Sequence, residues 1–433
     1  MTRRRVLLAA LAVVLVAAGA VAAYAVAKMR ASRDVRGSSS VEFVTTTAVP
    51  REPRPAAKAV VAWPMYGYDR RRTRVGPGRF RPPFRRLWVF GARKLLEFPP
   101  AVAHGRLFFT NNSGVMFAVR AKDGARAWRW RSGRCAASSP AVSGRLVIQV
   151  FLAPLPCNRS GGGLDGLVVA FHAGSGKIRW RRRIGPSETP PLVVGKRVFV
   201  GDWDGVVWAL QTKTGRVRWR FRAGGQLKGG IAHASGRLYF GSYDHRVYAV
   251  GAATGRLLWT ASAQDRLGSR ANFYSTPAVA YGRVYLGGTD GKLYSFGAWS
   301  GRLRWSNDTG GYVYSSPAVW RRRVYVGSYS GRLYAFDAAT GDVRWTFEAN
   351  GPISGSPTLI RGVVYFATLR ERTYALDART GRRLWTFPDG KYTPIVTDGE
   401  RPYLVGHARI YGLAPRVSRR GRENLKSGRR ERE

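Results

Sequence analysis

The side chains that could do chemistry are few and scattered in this sequence. The five histidines, His104, His172, His233, His245 and His407, show no metal-ligand spacing. Serines fall mainly at turn positions and carboxylates are scarce, so the sequence offers no Ser-His-Asp grouping. We therefore predict no catalytic, metal-binding or cofactor-binding residues.

A more informative set of residues lies three positions before a recurring proline, or at the matching place in the one repeat that lacks it. It combines carboxylate, phenol and ammonium groups, at Glu97, Glu188, Lys228, Tyr274, Tyr314 and Lys391. Such groups could orient a peptide or a small ligand at a channel mouth. The same positions would also suit the lining of a water-filled channel, and the sequence leaves both interpretations open.

The elements that would position these residues recur about every 40 residues. Seven of the repeats end in an Ala-x-x-x-x-x-Gly-x-x-x-Trp element, with serine at the alanine position in one copy. Its glycine suits a tight hairpin turn, and its tryptophan offers a large apolar surface for docking one repeat on the next. The period is marked by Trp88, Trp128, Trp180, Trp219, Trp259, Trp305, Trp345 and Trp385.

Two further strands precede each element, an inner one after Ser/Thr-Pro and a second that runs into a Gly/Asp turn. This pattern predicts an all-β fold, an eight-bladed β-propeller of four-stranded antiparallel blades over residues 61–415. The chain ends with three strands, and a lone early strand lies at 85–90. We predict that these four complete the eighth blade, which removes open sheet edges.

The N-terminal residues have the composition of a membrane anchor. Val6 to Ala27 is apolar and follows Arg3–Arg5, so we predict a cytoplasmic stub and one transmembrane helix in residues 1–27. A cleaved signal peptide is the alternative, because Ala25–Ala27 could form a cleavage site. Residues 28–60 are expected to be a flexible linker, and residues 416–433 a disordered basic tail.

The two cysteines, Cys135 and Cys157, fall in the repeat with a long insertion. A disulfide between them would contribute on the order of 3 kcal/mol and would require an oxidising compartment. Two free thiols are the competing interpretation. The disulfide and the anchor together predict a single-pass protein of the cell membrane, with the propeller on the extracytoplasmic side.

The charge balance is strongly basic, with 73 Lys and Arg against 25 Asp and Glu and a formal net charge of +48. Such a charge favours anionic surroundings, although an arginine-rich composition of the whole genome would also produce it. We expect one face of the propeller to be basic and suited to an anionic envelope surface. Nucleic acid is not expected as a partner, because no recognition motif is present.

The repeats resemble the pyrroloquinoline-quinone (PQQ) type β-propeller repeats over roughly residues 60–415. The Ala, Gly and Trp positions match that family's docking motif, and Trp63–Asp69 is similar to its lead-in segment. The resemblance implies either a quinoprotein dehydrogenase with PQQ and Ca²⁺, or a scaffold without cofactor such as the outer-membrane barrel-assembly propeller. The dehydrogenases are implied to need adjacent cysteines, which this chain lacks.

These observations favour a non-enzymatic binding or assembly scaffold of the cell envelope. We expect it to be a monomer without cofactor, with a protein or peptide partner. A PQQ- and Ca²⁺-dependent dehydrogenase is the alternative. A propeller is a scaffold for many activities, so the fold alone does not decide between them.

Overall fold

The computed structural model describes residues 11–23, 34–35, 37, 41–45, 61–156, 163–262 and 271–416. Residues 11–23 are helical. The strands in chain order are β1 (Val61–Trp63), β2 (Val75–Gly76), β3 (Phe84–Gly91), β4 (Ala101–Ala103), β5 (Arg106–Thr110), β6 (Val115–Arg120), β7 (Arg126–Arg131), β8 (Ala141–Ser143), β9 (Leu146–Phe151), β10 (Gly166–His172), β11 (Ile178–Ile184), β12 (Leu192–Val194), β13 (Arg197–Gly201), β14 (Val206–Gln211), β15 (Val217–Arg222), β16 (Ala232–Ala234), β17 (Arg237–Gly241), β18 (Arg246–Gly251), β19 (Leu257–Ser262), β20 (Ala278–Ala280), β21 (Arg283–Gly287), β22 (Lys292–Gly297), β23 (Leu303–Asp308), β24 (Ala318–Trp320), β25 (Arg323–Gly327), β26 (Arg332–Asp337), β27 (Val343–Glu348), β28 (Thr358–Ile360), β29 (Val363–Thr368), β30 (Arg372–Asp377), β31 (Arg383–Phe387), β32 (Ile395–Thr397), β33 (Pro402–Val405) and β34 (Arg409–Pro415).

These strands form the predicted eight-bladed propeller. Blades 1 to 7 each take four consecutive strands, starting at β4, β8, β12, β16, β20, β24 and β28, and the pairing within each is antiparallel. Blade 8 has the order β3-β34-β33-β32, with Trp88 opposite Gly412. The prediction that an early strand and the last three strands close the ring is confirmed. Two strands were not predicted: β1 adds to blade 1 and β2 adds to blade 7.

The tryptophans dock each blade on the next, as the repeat predicts. Within blade 3, Trp219 is the cross-strand neighbour of Ala209. Its ring packs on Gly255 of blade 4, and its indole N–H donates to the carbonyl oxygen of Ala252 at 3.3 Å. The same indole-to-carbonyl bond is made by Trp88, Trp128, Trp180, Trp259, Trp305 and Trp345. The buried core therefore lies mainly between neighbouring blades.

The N-terminal predictions fall partly outside the described residues, which omit 1–10, 24–33, 36, 38–40 and 46–60. In the part of the chain that the structure describes, no helix has both the length and the apolar character needed to cross a bilayer. The predicted span Val6–Ala27 is thus not confirmed. The predicted tail lies beyond the described residues except for Arg416, and so does Cys157, so the disulfide to the buried Cys135 stays a prediction.

Part of the predicted linker packs on the propeller instead of extending away from it. We call the described residues 34–35, 37 and 41–45 the strap. The backbone of Val35 bonds to Ser306 on the outer strand of blade 5 (Ser306 N to Val35 O, 3.1 Å). Phe43 stacks on Tyr281, with ring centroids 5.1 Å apart. At least these residues are held against blade 5.

Candidate functional site

The central channel is blocked by the N-terminal segment 64–74, which we call the plug. It runs between β1 and β2, and its backbone carbonyls accept hydrogen bonds from the innermost strands of five blades. The donors are the amides of Val142, His233, Val279, Val319 and Leu359, at 2.7 to 3.0 Å. The plug therefore gives the channel a floor.

Above the plug, the channel opens into a cavity of about 350 Å³. Its walls come from the segments that lead into the inner strands of seven blades, so it lies on the propeller axis. The predicted residues Glu97, Lys228, Tyr274 and Tyr314 line it, and Tyr66 of the plug forms part of its floor. Four of the six residues singled out from the repeat therefore lie together around one cavity.

Glu188 does not line the cavity but is hydrogen-bonded to a residue of its wall. Its carboxylate accepts hydrogen bonds from the Tyr274 hydroxyl at 3.0 Å and from the Trp203 indole at 2.9 Å. Burial raises the pKa of Glu188, although the charge of Lys228 and these two bonds oppose the shift. The Lys228 ammonium lies 4.8 Å from the Trp203 ring centre and 5.1 Å from that of Tyr243. These residues form one braced network.

Glu97 is different, because its carboxylate has no hydrogen bond or ion pair among the described residues. Burial and then the charge of Glu188 raise its pKa to about 7. A carboxyl with such a pKa changes charge near neutrality and is available to a ligand.

Lys391 does not line the cavity. Its ammonium lies 3.7 Å from the Glu371 carboxylate, which also contacts His407 at 2.7 Å. This predicted residue therefore belongs to a polar cluster at the outer rim, on the loops of blades 7 and 8.

Several cavity residues were missed by the sequence analysis. They are the further tyrosines Tyr66, Tyr243, Tyr329 and Tyr392 and the hydroxyl residues Thr276, Ser316 and Ser356. The hydroxyls form a ladder between blades, in which the Thr276 amide donates to Ser316 Oγ (3.0 Å) and the Ser316 amide to Ser356 Oγ (2.9 Å). Each of these three hydroxyl residues directly precedes a proline. The Ser/Thr-Pro repeat, which predicts the start of an inner strand, therefore also marks these cavity residues.

The cavity offers little to a Ca²⁺ ion of the kind that quinoprotein dehydrogenases are implied to hold. Ca²⁺ takes 6–8 oxygen ligands, and Glu188 already accepts two hydrogen bonds. Within the described ranges, no three His, Cys, Asp or Glu side chains are grouped as metal ligands. The residues described therefore do not fit that ion as a complete ligand set.

Comparison with known proteins agrees with this architecture. The model of a PQQ-repeat family, described as outer membrane protein assembly factor BamB, matches residues 164–315 and 300–416, more than half of the chain. The chain belongs to this PQQ-repeat family. The predicted resemblance is thereby confirmed. A comparison with curated protein sequences gave no match.

Solved PQQ-repeat structures of both scaffold and enzyme types share the fold. BamB from Moraxella catarrhalis is 18% identical, with a TM-score of 0.62 over 77% of this chain and 100% of that one. The quinohemoprotein alcohol dehydrogenase ADHIIG from Pseudomonas putida HK5 is 14% identical, with a TM-score of 0.68 over 83% of this chain and 82% of that one. A europium-containing methanol dehydrogenase is 13% identical, with a TM-score of 0.69 over 82% of this chain and 98% of that one. At these identities the likeness shows the fold and no shared activity.

Proposed function

We propose that the protein is a non-enzymatic scaffold of the cell envelope that holds a protein or peptide partner over the axial cavity. The observation that carries the proposal is the closed-off, tyrosine-lined cavity above the plug. A blind cavity of this kind binds what enters from one face and offers no passage through the ring. The family description as an assembly factor is compatible with a protein partner.

The rim of the cavity has the composition of a protein-binding surface. Tyr312, Tyr314 and Tyr329 form a ring cluster with centroids 5.1 to 6.1 Å apart, and Tyr312 is 54% exposed. Tyrosine is enriched among the residues that dominate protein interfaces, because it supplies a rigid apolar body with a polar tip. A partner would therefore contact the rim first and extend a group into the cavity.

Photo-crosslinking in cells tests the scaffold proposal. A photo-reactive amino acid at position 312 should give a discrete crosslinked product. The matched control places it at Trp299, which is 73% exposed in the turn between β22 and β23, on the opposite face. Equal products from the two positions, or none from position 312, would contradict the proposal.

Membrane anchoring through Val6–Ala27 and an extracytoplasmic propeller are part of this proposal. They are supported by the apolar N-terminal sequence and by the predicted Cys135–Cys157 disulfide. Protease added to intact cells or spheroplasts should digest the propeller only if it lies outside the cytoplasm. Protection until the membrane is lysed would refute this placement.

The dehydrogenase is the alternative, and the observation in its favour is that the chain belongs to a PQQ-repeat family. Thermal unfolding with and without PQQ plus Ca²⁺ tests it. Specific binding at a hundred times Kd would add about 2.7 kcal/mol to the free energy of unfolding. A saturable rise in Tm would favour the dehydrogenase, and no change would favour the scaffold.

A further inference from the structure

The plug carries more positive than negative charge into the centre of the propeller. The side chains of Arg72 and Arg74 are 0% and 2% exposed. The carboxylate nearest to them in the plug is Asp69, and it is engaged by the amide and hydroxyl of Thr73 at 3.1 and 2.6 Å. One carboxylate therefore faces two buried guanidinium groups.

The two arginines differ in how well they are satisfied. Arg72 donates to the carbonyl oxygens of Ile231 at 2.9 Å and of Pro190 and Pro191 at 3.2 Å each. Arg74 stacks over the ring of Tyr66, 4.1 Å from its centroid, and its Nε and Nη2 have no hydrogen-bond partner among the described residues. A buried guanidinium that lacks partners is costly, and burial lowers the pKa of Arg74, so an anion bound nearby would stabilise its charged form.

Tyr66 lies between Arg74 and the cavity, because it contacts the guanidinium and also lines the cavity. Burial would raise the pKa of its phenol, but the charge of Arg74 and the hydrogen bonds shared with Ser316 and Ser356 outweigh burial and lower it. The hydroxyl lies 3.3 Å from Ser316 Oγ and 3.1 Å from Ser356 Oγ, and all three residues line the cavity. A phenol acidified in this way is a strong hydrogen-bond donor to an anion.

We propose that the cavity floor is an anion subsite, in which the hydroxyls of Tyr66, Ser316 and Ser356 bind a carboxylate or phosphate group of the ligand, with Arg74 behind them. This rests on the proposed binding role of the cavity and adds the chemistry that it recognises. The Lys228 ammonium in the cavity wall and the net charge of +48 both favour the approach of an anion.

The test is calorimetric titration of the full chain with sodium acetate and, separately, with inorganic phosphate, at constant ionic strength. Both probes are anions. The one that binds with the higher affinity identifies the ligand group as a carboxylate or a phosphate. Tyr66→Phe keeps the ring beneath Arg74 and removes only the donor, so binding should weaken at least tenfold. Tyr365→Phe is the matched control, because it removes a buried hydroxyl that has no hydrogen-bond partner among the described residues and that does not line the cavity, so binding should stay within twofold of the unmodified protein.

Equal affinity in Tyr66→Phe, or binding of neither anion by the unmodified chain, would overturn the subsite. Ser356→Ala gives a second variant, at a residue outside the plug segment, and it should weaken binding at least threefold. Crosslinking from position 312 reports on the partner separately. Crosslinks without anion binding would refute the subsite and leave the scaffold proposal standing.

Discussion

At the scale of single residues, the propeller depends on a glycine that lies beneath seven of the eight docking tryptophans. Gly255 adopts φ +75°, and a Cβ built on it would lie 2.6 Å from the Trp219 ring of the preceding blade. Positive φ and the lack of a side chain are thus both required. The repeat predicted the turn and the docking, but the pairing of tryptophan with the next blade's glycine emerges only from the folded ring.

Substitution of Gly255 should separate these two requirements. We expect Gly255→Ala to lower the free energy of unfolding by about 2–4 kcal/mol, from backbone strain plus overpacking against Trp219. Gly236→Ala in the same blade is the control, because Gly236 has φ +72° and a Cβ added there would meet nothing within 4 Å. It should cost only about 1–2 kcal/mol from strain. Equal losses in chemical denaturation would show that ring contact is unimportant.

Glu97 should make stability depend on pH. Its pKa of about 7 lies above the ordinary value, because of burial and the charge of Glu188. Between about pH 4.5 and 7 the unfolded chain has released this proton while the folded chain still holds it, so stability falls as pH rises and is then constant. Tyr274 and Tyr392 also couple to this carboxyl and remain protonated in this range.

Glu97→Gln removes that penalty. We expect it to raise the free energy of unfolding by about 1–2 kcal/mol above pH 7, after allowance for partial exposure, and not to change it at pH 4. Glu348→Gln is the control, since Glu348 is 78% exposed. A pH-independent gain, measured by urea denaturation at both pH values, would contradict the assignment of this pKa.

At the scale of elements, the strap is the feature that composition concealed. Its segment is rich in Ser, Arg and Thr, which predicts a linker, yet its acidic residues pair with one buried and one half-buried cation of blade 5. Lys292 is 4% exposed and lies 2.8 Å from the Asp34 carboxylate, and Arg304 donates to Glu42 at 2.8 Å. Arg332, which occupies in blade 6 the position that Lys292 has in blade 5, is 53% exposed. Such contacts depend on tertiary geometry, so a local pattern could not reveal them.

Reversing the charge of Glu42 should release the strap locally. We expect Glu42→Lys to speed hydrogen exchange of the Ser306 amide at least tenfold, since that amide donates to Val35. Thr346, at the matching position of blade 6, should not change. Asp123→Lys is the control variant, because Asp123 forms an exposed pair with Arg120. Unchanged exchange at Ser306 would show that the strap is held without Glu42.

The plug is a second element that the sequence did not reveal. The blades follow from a period of strands, turns and tryptophans, all of which are local signals. Segment 64–74 has no strand alternation, and it is fixed by backbone hydrogen bonds to five blades. Its partners are amides, which leave no trace in side-chain identity. The lead-in was recognised as a family feature, but its place in the channel could not be predicted.

At the scale of the whole molecule, the expected basic face is partly structural. Arg106, Arg197, Arg237 and Arg323 donate to carbonyl oxygens of neighbouring blades, so part of their role is to hold the ring. Arg283, at the matching position of blade 5, is buried beneath the strap. Lys177, Arg216, Arg256 and Arg302 are exposed in turns opposite the cavity and remain candidates for contact with an anionic surface.

Neutralising these four residues together tests the basic face. We expect Lys177→Gln, Arg216→Gln, Arg256→Gln and Arg302→Gln combined to weaken binding to vesicles containing anionic lipid at least tenfold at low salt. A control of equal net charge neutralises the exposed perimeter residues Arg179, Arg181, Arg183 and Arg218. Equal weakening by both variants in a sedimentation assay would mean that net charge alone governs binding.

The closure of blade 8 sets an order of events for a newly made chain. Strand β3 leaves the ribosome early, whereas its partner β34 is among the last strands to emerge. Until then the nascent polypeptide is an open arc with sheet edges exposed at both ends. If it is exported, it must cross the membrane and avoid aggregation before the arc can shut. A message truncated shortly before β32 would therefore yield seven blades in a ring that cannot close. Quality-control proteases would be expected to remove this product.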